Sequence, residues 1–186
     1  MNLGASFDPH ERIRLFTGLR LPEDVTERLQ SWQHEAFAGT SDVRVVSAEN
    51  VHVTLAFLGH RPAAELGPIA ASLRAAAERA EPPTFVVRSY HETRSVGMLV
   101  LEDEGARATA LAEDLHGRLE QLRVYERERR PWLPHLTVLR FRRPPRLRPS
   151  LPELGRVSPS EAAVYHSVLR RDGARYDVLE SVRIGG

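Results

Sequence analysis

Two copies of one short pattern carry the residues best suited to chemistry. His52-Val53-Thr54-Leu55 lies in the apolar run V-H-V-T-L-A-F-L-G, and His135-Leu136-Thr137-Val138 lies in L-P-H-L-T-V-L-R-F. Side chains on a strand alternate between faces, so His52 and Thr54 should share one face, as should His135 and Thr137. An imidazole titrates near neutral pH and can give or take a proton. With one histidine on each wall of a cleft, one could accept a proton from water while the other protonates a leaving oxygen. The two threonine hydroxyls could then donate hydrogen bonds to the charge developing on phosphate oxygens. That scheme suits the opening of a cyclic phosphodiester and calls for neither metal nor cofactor.

A lone histidine in an apolar strand is ordinarily a hydrogen-bonded structural residue, and threonine favours strands in any case. The duplication is what argues for a site. His10, His34, His60, His91, His116 and His166 lack this context and read as structural or surface residues. Metal binding by His52 and His135 is the rival chemistry. Neither motif brings an Asp, Glu or second His two to four residues on, whereas divalent sites generally need three or four ligands.

The elements that must position these motifs follow from periodicity and from turn residues. Strands are expected over 12–19, 43–46, 51–58, 84–90, 97–101, 132–141, 162–169 and 175–182. Helices are expected from Pro22 to about Phe37, from about Ala63 to Ala80, and from Ala106 to about Arg123, the last with Leu111, Leu115, Leu119 and Leu122 at helical spacing. Residues 143–155 are proline-rich and read as an irregular loop, and Arg171-Asp172-Gly173 reads as a hairpin turn. Each half of the chain thus runs roughly strand, helix, strand, strand, with its motif late in the half. The expected fold is α+β: two pseudo-symmetric lobes, each an antiparallel sheet with helices packed outside, around a central cleft. Residues 1–11 read as an N-terminal tail and 12–186 as one bilobal domain.

Composition narrows the setting. The 186 residues contain no cysteine, which removes disulfides and thiolate chemistry and fits a reducing compartment. No apolar stretch approaches the ~20 residues of a membrane helix, and the first ten residues lack the pattern of a signal peptide. A cytoplasmic, monomeric protein is expected, with no membrane partner. All 26 basic residues are arginine, and the net charge is +1. Residues 117–148 hold ten arginines against three glutamates, a local excess that would attract a phosphate ester or a polyanion.

At these residues the chain resembles the 2H phosphoesterase superfamily, and within it the bacterial and archaeal RNA 2′,3′-cyclic phosphodiesterases, formerly described as 2′-5′ RNA ligases. The resemblance spans about Arg12 to Glu180. It rests on R-L-F (Arg14 to Phe16), A-E-N-V-H-V-T-L-A-F-L-G (Ala48 to Gly59), R-P-W-L-P-H-L-T-V-L-R (Arg130 to Arg140) and V-Y-H-S-V-L-R-R-D-G-A-R-Y-D-V-L (Val164 to Leu179). It implies hydrolysis of a 2′,3′-cyclic phosphate, at an RNA end or in a small cyclic nucleotide, to a 2′-phosphate. His135 would then be the proton acceptor and His52 the proton donor, with Thr54 and Thr137 holding the phosphate. It also points to Phe57 and Arg140, each five residues after its histidine, as substrate contacts, and Phe16 is a candidate to stack on a base. Strict alternation sets Phe57 and Arg140 on the face opposite the histidines. Phe57 would then belong to the core, and Arg140 would need a bulge, a strand end or a carboxylate partner. An RNA-end binding protein and reversible 2′-5′ ligation at the same site are the alternatives. The chain has no lysine with which to activate a nucleotide.

Overall fold

The computed structural model describes residues 7–170 and 173–185. The chain runs β1 (Arg12–Arg20), α1 (Glu23–Ala36), β2 (Val43–Val45), β3 (His52–Pro62), α2 (Leu66–Arg79), β4 (Phe85–Glu92), β5 (Val96–Asp103), α3 (Arg107–Gln121), β6 (His135–Phe141), β7 (Glu161–Arg170) and β8 (Gly173–Arg183). Every expected helix and strand is present, with ends displaced by a few residues. The strand pair β7 and β8 is also present. Residues Arg171 and Asp172 of its expected turn lie outside the described residues.

Each helix forms where apolar residues recur every three or four positions, and that stripe faces the sheet. On α1 the buried residues are Val25, Leu29, Trp32 and Gln33. On α2 they include Leu66, Ile69, Leu73 and Ala77, and on α3 Ala108, Leu111, Leu115 and Leu119. Glu23 and Asp24 sit in the first turn of α1, where negative charge complements the helix dipole. Asp103 receives the backbone N–H of Ala108 (3.1 Å) and of Thr109 (2.7 Å), which caps α3. Helix α2 packs on β7 and β8, and α3 on β3 and β5.

Among the described residues the strands form one curled antiparallel sheet in the order β4-β5-β6-β3-β1-β7-β8, with β2 also paired to β6. The lobes are not the two halves of the chain. One contains β3, β1, β7 and β8; the other contains β4, β5, β6 and β2. The C-terminal hairpin has returned to the first strand, and the short β2 has crossed to the second motif strand. Along one edge β6 pairs first with β3 and then with β2. The pairing between β3 and β6 sets Val53 opposite Leu136, after which the strands part. The lobes therefore meet at the central residue of each His-x-Thr motif.

Segments outside the strands are tied in. Phe7 sets its ring edge-on to His166 at 5.5 Å, and the carbonyls of Glu11 and Pro9 accept from the N–H groups of Ala63 and Ala64. The proline-rich stretch carries no helix or strand, as its composition implies. It is held by Trp32 Nε1 donating to Ser150 O (2.8 Å) and by Glu92, which accepts from the backbone of Arg146 and Leu147.

Candidate active site

Antiparallel pairing of Val53 with Leu136 has a direct geometric consequence. Residues one step either side of that pair point together to the opposite face, so His52 comes opposite Thr137 and His135 opposite Thr54. Val53 and Leu136 are buried, while the four polar residues remain partly exposed. The two histidines occupy diagonal positions, which in a regular pair lie about 7–8 Å apart.

The next residues depart from simple alternation, and in the same way on both strands. Along the ladder between β1 and β3, Gly18 pairs with Thr54 and Thr17 with Ala56, so Leu55 is skipped. Along the ladder between β5 and β6, Met98 pairs with Thr137 and Gly97 with Leu139, so Val138 is skipped. Each is a β-bulge three residues after the histidine, and each reverses the parity of the residues beyond it. The expectation that Phe57 and Arg140 face away from the histidines is thereby corrected. Both line the same cleft as His52, Thr54 and Thr137. Phe57 is 51% exposed, with the Arg14 guanidinium 4.9 Å from its ring centroid, and is no part of the core. Arg140 has no carboxylate partner among the described residues.

The two imidazoles are held alike. His52 Nδ1 donates to the carbonyl of Asn50 (2.8 Å) and His135 Nδ1 to that of Leu133 (2.9 Å), each two residues earlier. A carbonyl can only accept, so Nδ1 carries the proton and Nε2 is the nitrogen left for chemistry. Phe16 is 3% exposed and stacks on His52 at 4.6 Å and on Tyr165 at 4.7 Å, with Tyr176 edge-on. Little of its ring is left for a base, and its contact in this cleft is with the imidazole. Gly18 makes room for that imidazole, since a Cβ there would stand 3.1 Å from His52 Cδ2 and 3.0 Å from Val53 O.

Although part of the His52 ring faces the cleft, burial pushes its pKa from 6.5 down to about 4. The Asn50 carbonyl opposes this, and His135 and Arg140 add to it by like-charge repulsion. Below pH 6.5 the unfolded chain therefore binds a proton that the folded chain refuses. Stability should fall as pH drops from about 6.5 to about 4, with His52 contributing up to about 3 kcal/mol of the loss. Urea melts at pH 7 and pH 4.5 check this. The wild type is expected to lose at least about 1 kcal/mol more than His52→Gln between the two conditions; equal losses would mean that His52 keeps its ordinary proton affinity.

The cleft has a volume of about 320 Å³, and among the described residues no Asp or Glu lines it. Of the two histidines and two threonines, His135 alone lies outside that lining, although its charge is felt at His52. Ser167, Leu169, Gly173, Ala174 and Tyr176 also line it, so the C-terminal hairpin forms one wall. Arg14, Arg44 and Asn50 also line the cleft, and the sequence alone gives none of them a site role. Arg44 had a signal only through β2, whose pairing partner sits on the other motif strand. A second cavity of about 400 Å³ continues from the first and adds Glu49 and Arg175 to the shared Arg44, Arg140 and Arg170. The basic stretch 117–148 contributes Arg140 to these walls, while Arg118, Arg127 and Arg130 pair with Asp114, Glu120 and Glu128. Among the described residues no group of three or more His, Cys, Asp or Glu could hold a metal ion, and no helix is long and apolar enough to cross a membrane.

Comparison with known proteins gives the family of the chain. The family model described as LigT like Phosphoesterase matches residues 19–95. The RNA 2′,3′-cyclic phosphodiesterase of Thermus thermophilus is 34% identical over 190 residues, covering 94% of this chain and 91% of its own. The crystal structure of TT0787 from the same organism superposes with a TM-score of 0.81 at 29% identity, over 94% of this chain and 99% of that one. E. coli LigT complexed with 3′-AMP shares the fold, with a TM-score of 0.80 at 24% identity over 95% and 100% of the two chains. A relative this similar over nearly its whole length, on the same curled sheet, shows that the chain belongs to the LigT-like phosphoesterases, the 2H phosphoesterase family.

Proposed function

We propose that this protein hydrolyses 2′,3′-cyclic phosphodiesters, at RNA ends or in small cyclic nucleotides, to the 2′-phosphate by a metal-independent two-histidine mechanism. The observation that carries the reading is the antiparallel pairing at Val53 and Leu136, which sets the polar residues of both His-x-Thr motifs side by side on one face of the sheet. The name of the Thermus relative, at 34% identity, supports the substrate class.

In this mechanism the phosphate anion lies between Thr54, Thr137 and Arg140, whose hydrogen-bond donors face its non-bridging oxygens. His135 Nε2 accepts a proton from water as the new O–P bond forms. The P–O3′ bond breaks, and the proton on His52 Nε2 passes to the departing 3′ oxygen. Burial holds His52 neutral at pH 7 in the free protein, so His52 takes up a proton from solvent as the anionic substrate binds. The substrate's negative charge offsets burial and the push of Arg140, raising the proton affinity of His52 when the proton is needed. A group whose intrinsic affinity is low then releases that proton readily to the alkoxide. Phe57 flanks the nucleoside, and Phe16 holds His52 in place. The chain from Arg12 onward acts as one bilobal unit, as a monomer and in the cytoplasm. The second cavity, with Arg170 and Arg175, favours an RNA end over a mononucleotide, because a polynucleotide brings further phosphates.

The test is chelator-treated protein supplied with a nucleoside 2′,3′-cyclic phosphate and with a short RNA bearing that end. The expected product from both is the 2′-phosphate, with the RNA preferred at low salt and the preference shrinking as salt rises. Exclusive 3′-phosphate, or activity abolished by the chelator, would overturn the mechanism.

A further inference from the structure

We infer that Gln33 and His116 are positioning residues, which lock the two bulges that turn Phe57 and Arg140 into the cleft. The inference rests on the proposed reading of those two residues as substrate contacts. Its structural part stands on three matched observations.

The first is the repeat of the bulge at the same distance from each histidine, at Leu55 and at Val138. A carbonyl at a bulge can take a side-chain donor: Val138 O accepts the Val46 N–H at 3.0 Å and keeps a second lone pair for another donor. The second is what meets the carbonyls at the two bulges. His116 Nε2, on α3, donates to Leu55 O at 2.8 Å. Gln33 Nε2, on α1, donates to Val138 O at 3.0 Å and to Val46 O at 2.9 Å. One amide thus ties the bulge of β6 to the chain leaving β2. The third is burial: Gln33 is 2% exposed and His116 4%, on helices otherwise buried through apolar residues. Tyr125 lies against the His116 ring at 4.8 Å and fixes its orientation.

The alternative to each bulge is a continuous ladder, in which Phe57 and Arg140 return to the opposite face. Sheet pairing alone does not choose between the two registers, since the bulged one gives up a ladder position. A side-chain donor aimed at the carbonyl of the bulge favours the bulged register. The chain supplies one for each motif, from two helices unrelated in sequence.

The test compares Gln33→Leu and His116→Leu, which remove the donor, with Gln33→Asn and His116→Gln, which keep an amide. Kinetics use a nucleoside 2′,3′-cyclic phosphate, and the His52 titration is followed by NMR. For Gln33→Leu, kcat/KM should fall about ten- to hundredfold, mainly through KM, as expected for misplaced substrate contacts. The His52 pKa should rise, because Arg140 no longer stands against it. His116→Leu should fall similarly, and His116→Gln should recover most of the loss. Should a leucine variant fail to fold, Gln33→Met, which keeps the side-chain length and removes the donor, decides: raised KM with a raised His52 pKa supports the inference, and wild-type values of both overturn it. If the wild type does not turn over the cyclic nucleotide, the proposed reaction fails, while the His52 titration in these variants still decides the positioning.

Discussion

Alanine at His52 or at His135 is expected to lower turnover of a 2′,3′-cyclic nucleotide by about 10²–10⁴-fold, the range removed with one general acid or base. Both side chains are partly exposed, and each makes one named hydrogen bond to a nearby carbonyl. The variants should therefore fold. His52→Ala should even relieve the acid sensitivity that its buried imidazole imposes. The two losses should not add. Once one proton transfer is missing, the other histidine has less of the reaction left to accelerate, so the double variant should resemble the worse single one. Steady-state kinetics with melting curves on the same samples check this. A folded variant that keeps near-wild-type turnover would remove its histidine from the chemistry.

Arg140→Gln is the substitution with the next largest expected effect. The guanidinium lines the cleft beside Thr137 and has no carboxylate partner among the described residues, so a bound phosphate would be its counter-ion. Hydrogen bonds to charged groups contribute about 1.5–3 kcal/mol. KM should rise about 10- to 100-fold, with a smaller change in kcat. The same substitution removes one of the charges that depress His52. Its pKa should climb from about 4 without reaching 6.5, because burial is the larger cause and remains. An NMR titration of His52 in the two proteins reads this directly. An unchanged midpoint would mean that Arg140 does not act on the imidazole.

The motifs are legible because period-two alternation holds from His52 to Thr54 and from His135 to Thr137. Three residues after each histidine it fails. The runs T-L-A-F and T-V-L-R give no local sign of a bulge. Whether Leu55 and Val138 drop out of register depends on β1, β5 and the two helix side chains that donate to the carbonyls at the bulges, all distant in sequence. Alternation therefore assigns Phe57 to the core on a rule that its own strand breaks. The helices are readable from their apolar stripes, and the α+β architecture from the order of elements. The exchange of β2 and of the β7–β8 hairpin between lobes is not readable, because hydrophobic strands do not name their partners. That exchange brings Arg44 and Tyr176 to the cleft. Net charge along the chain overstates the role of residues 117–148, since several of those arginines are paired with local carboxylates.

The most direct measurement is hydrolysis of a nucleoside 2′,3′-cyclic phosphate in ¹⁸O-labelled water by the chelator-treated protein, with the product isomers separated and weighed by mass spectrometry. Attack by water on phosphorus with departure of the 3′ oxygen should give the 2′-phosphate carrying one ¹⁸O. A 3′-phosphate as the main product, or a 2′-phosphate without label, would contradict the two-histidine hydrolysis at its centre.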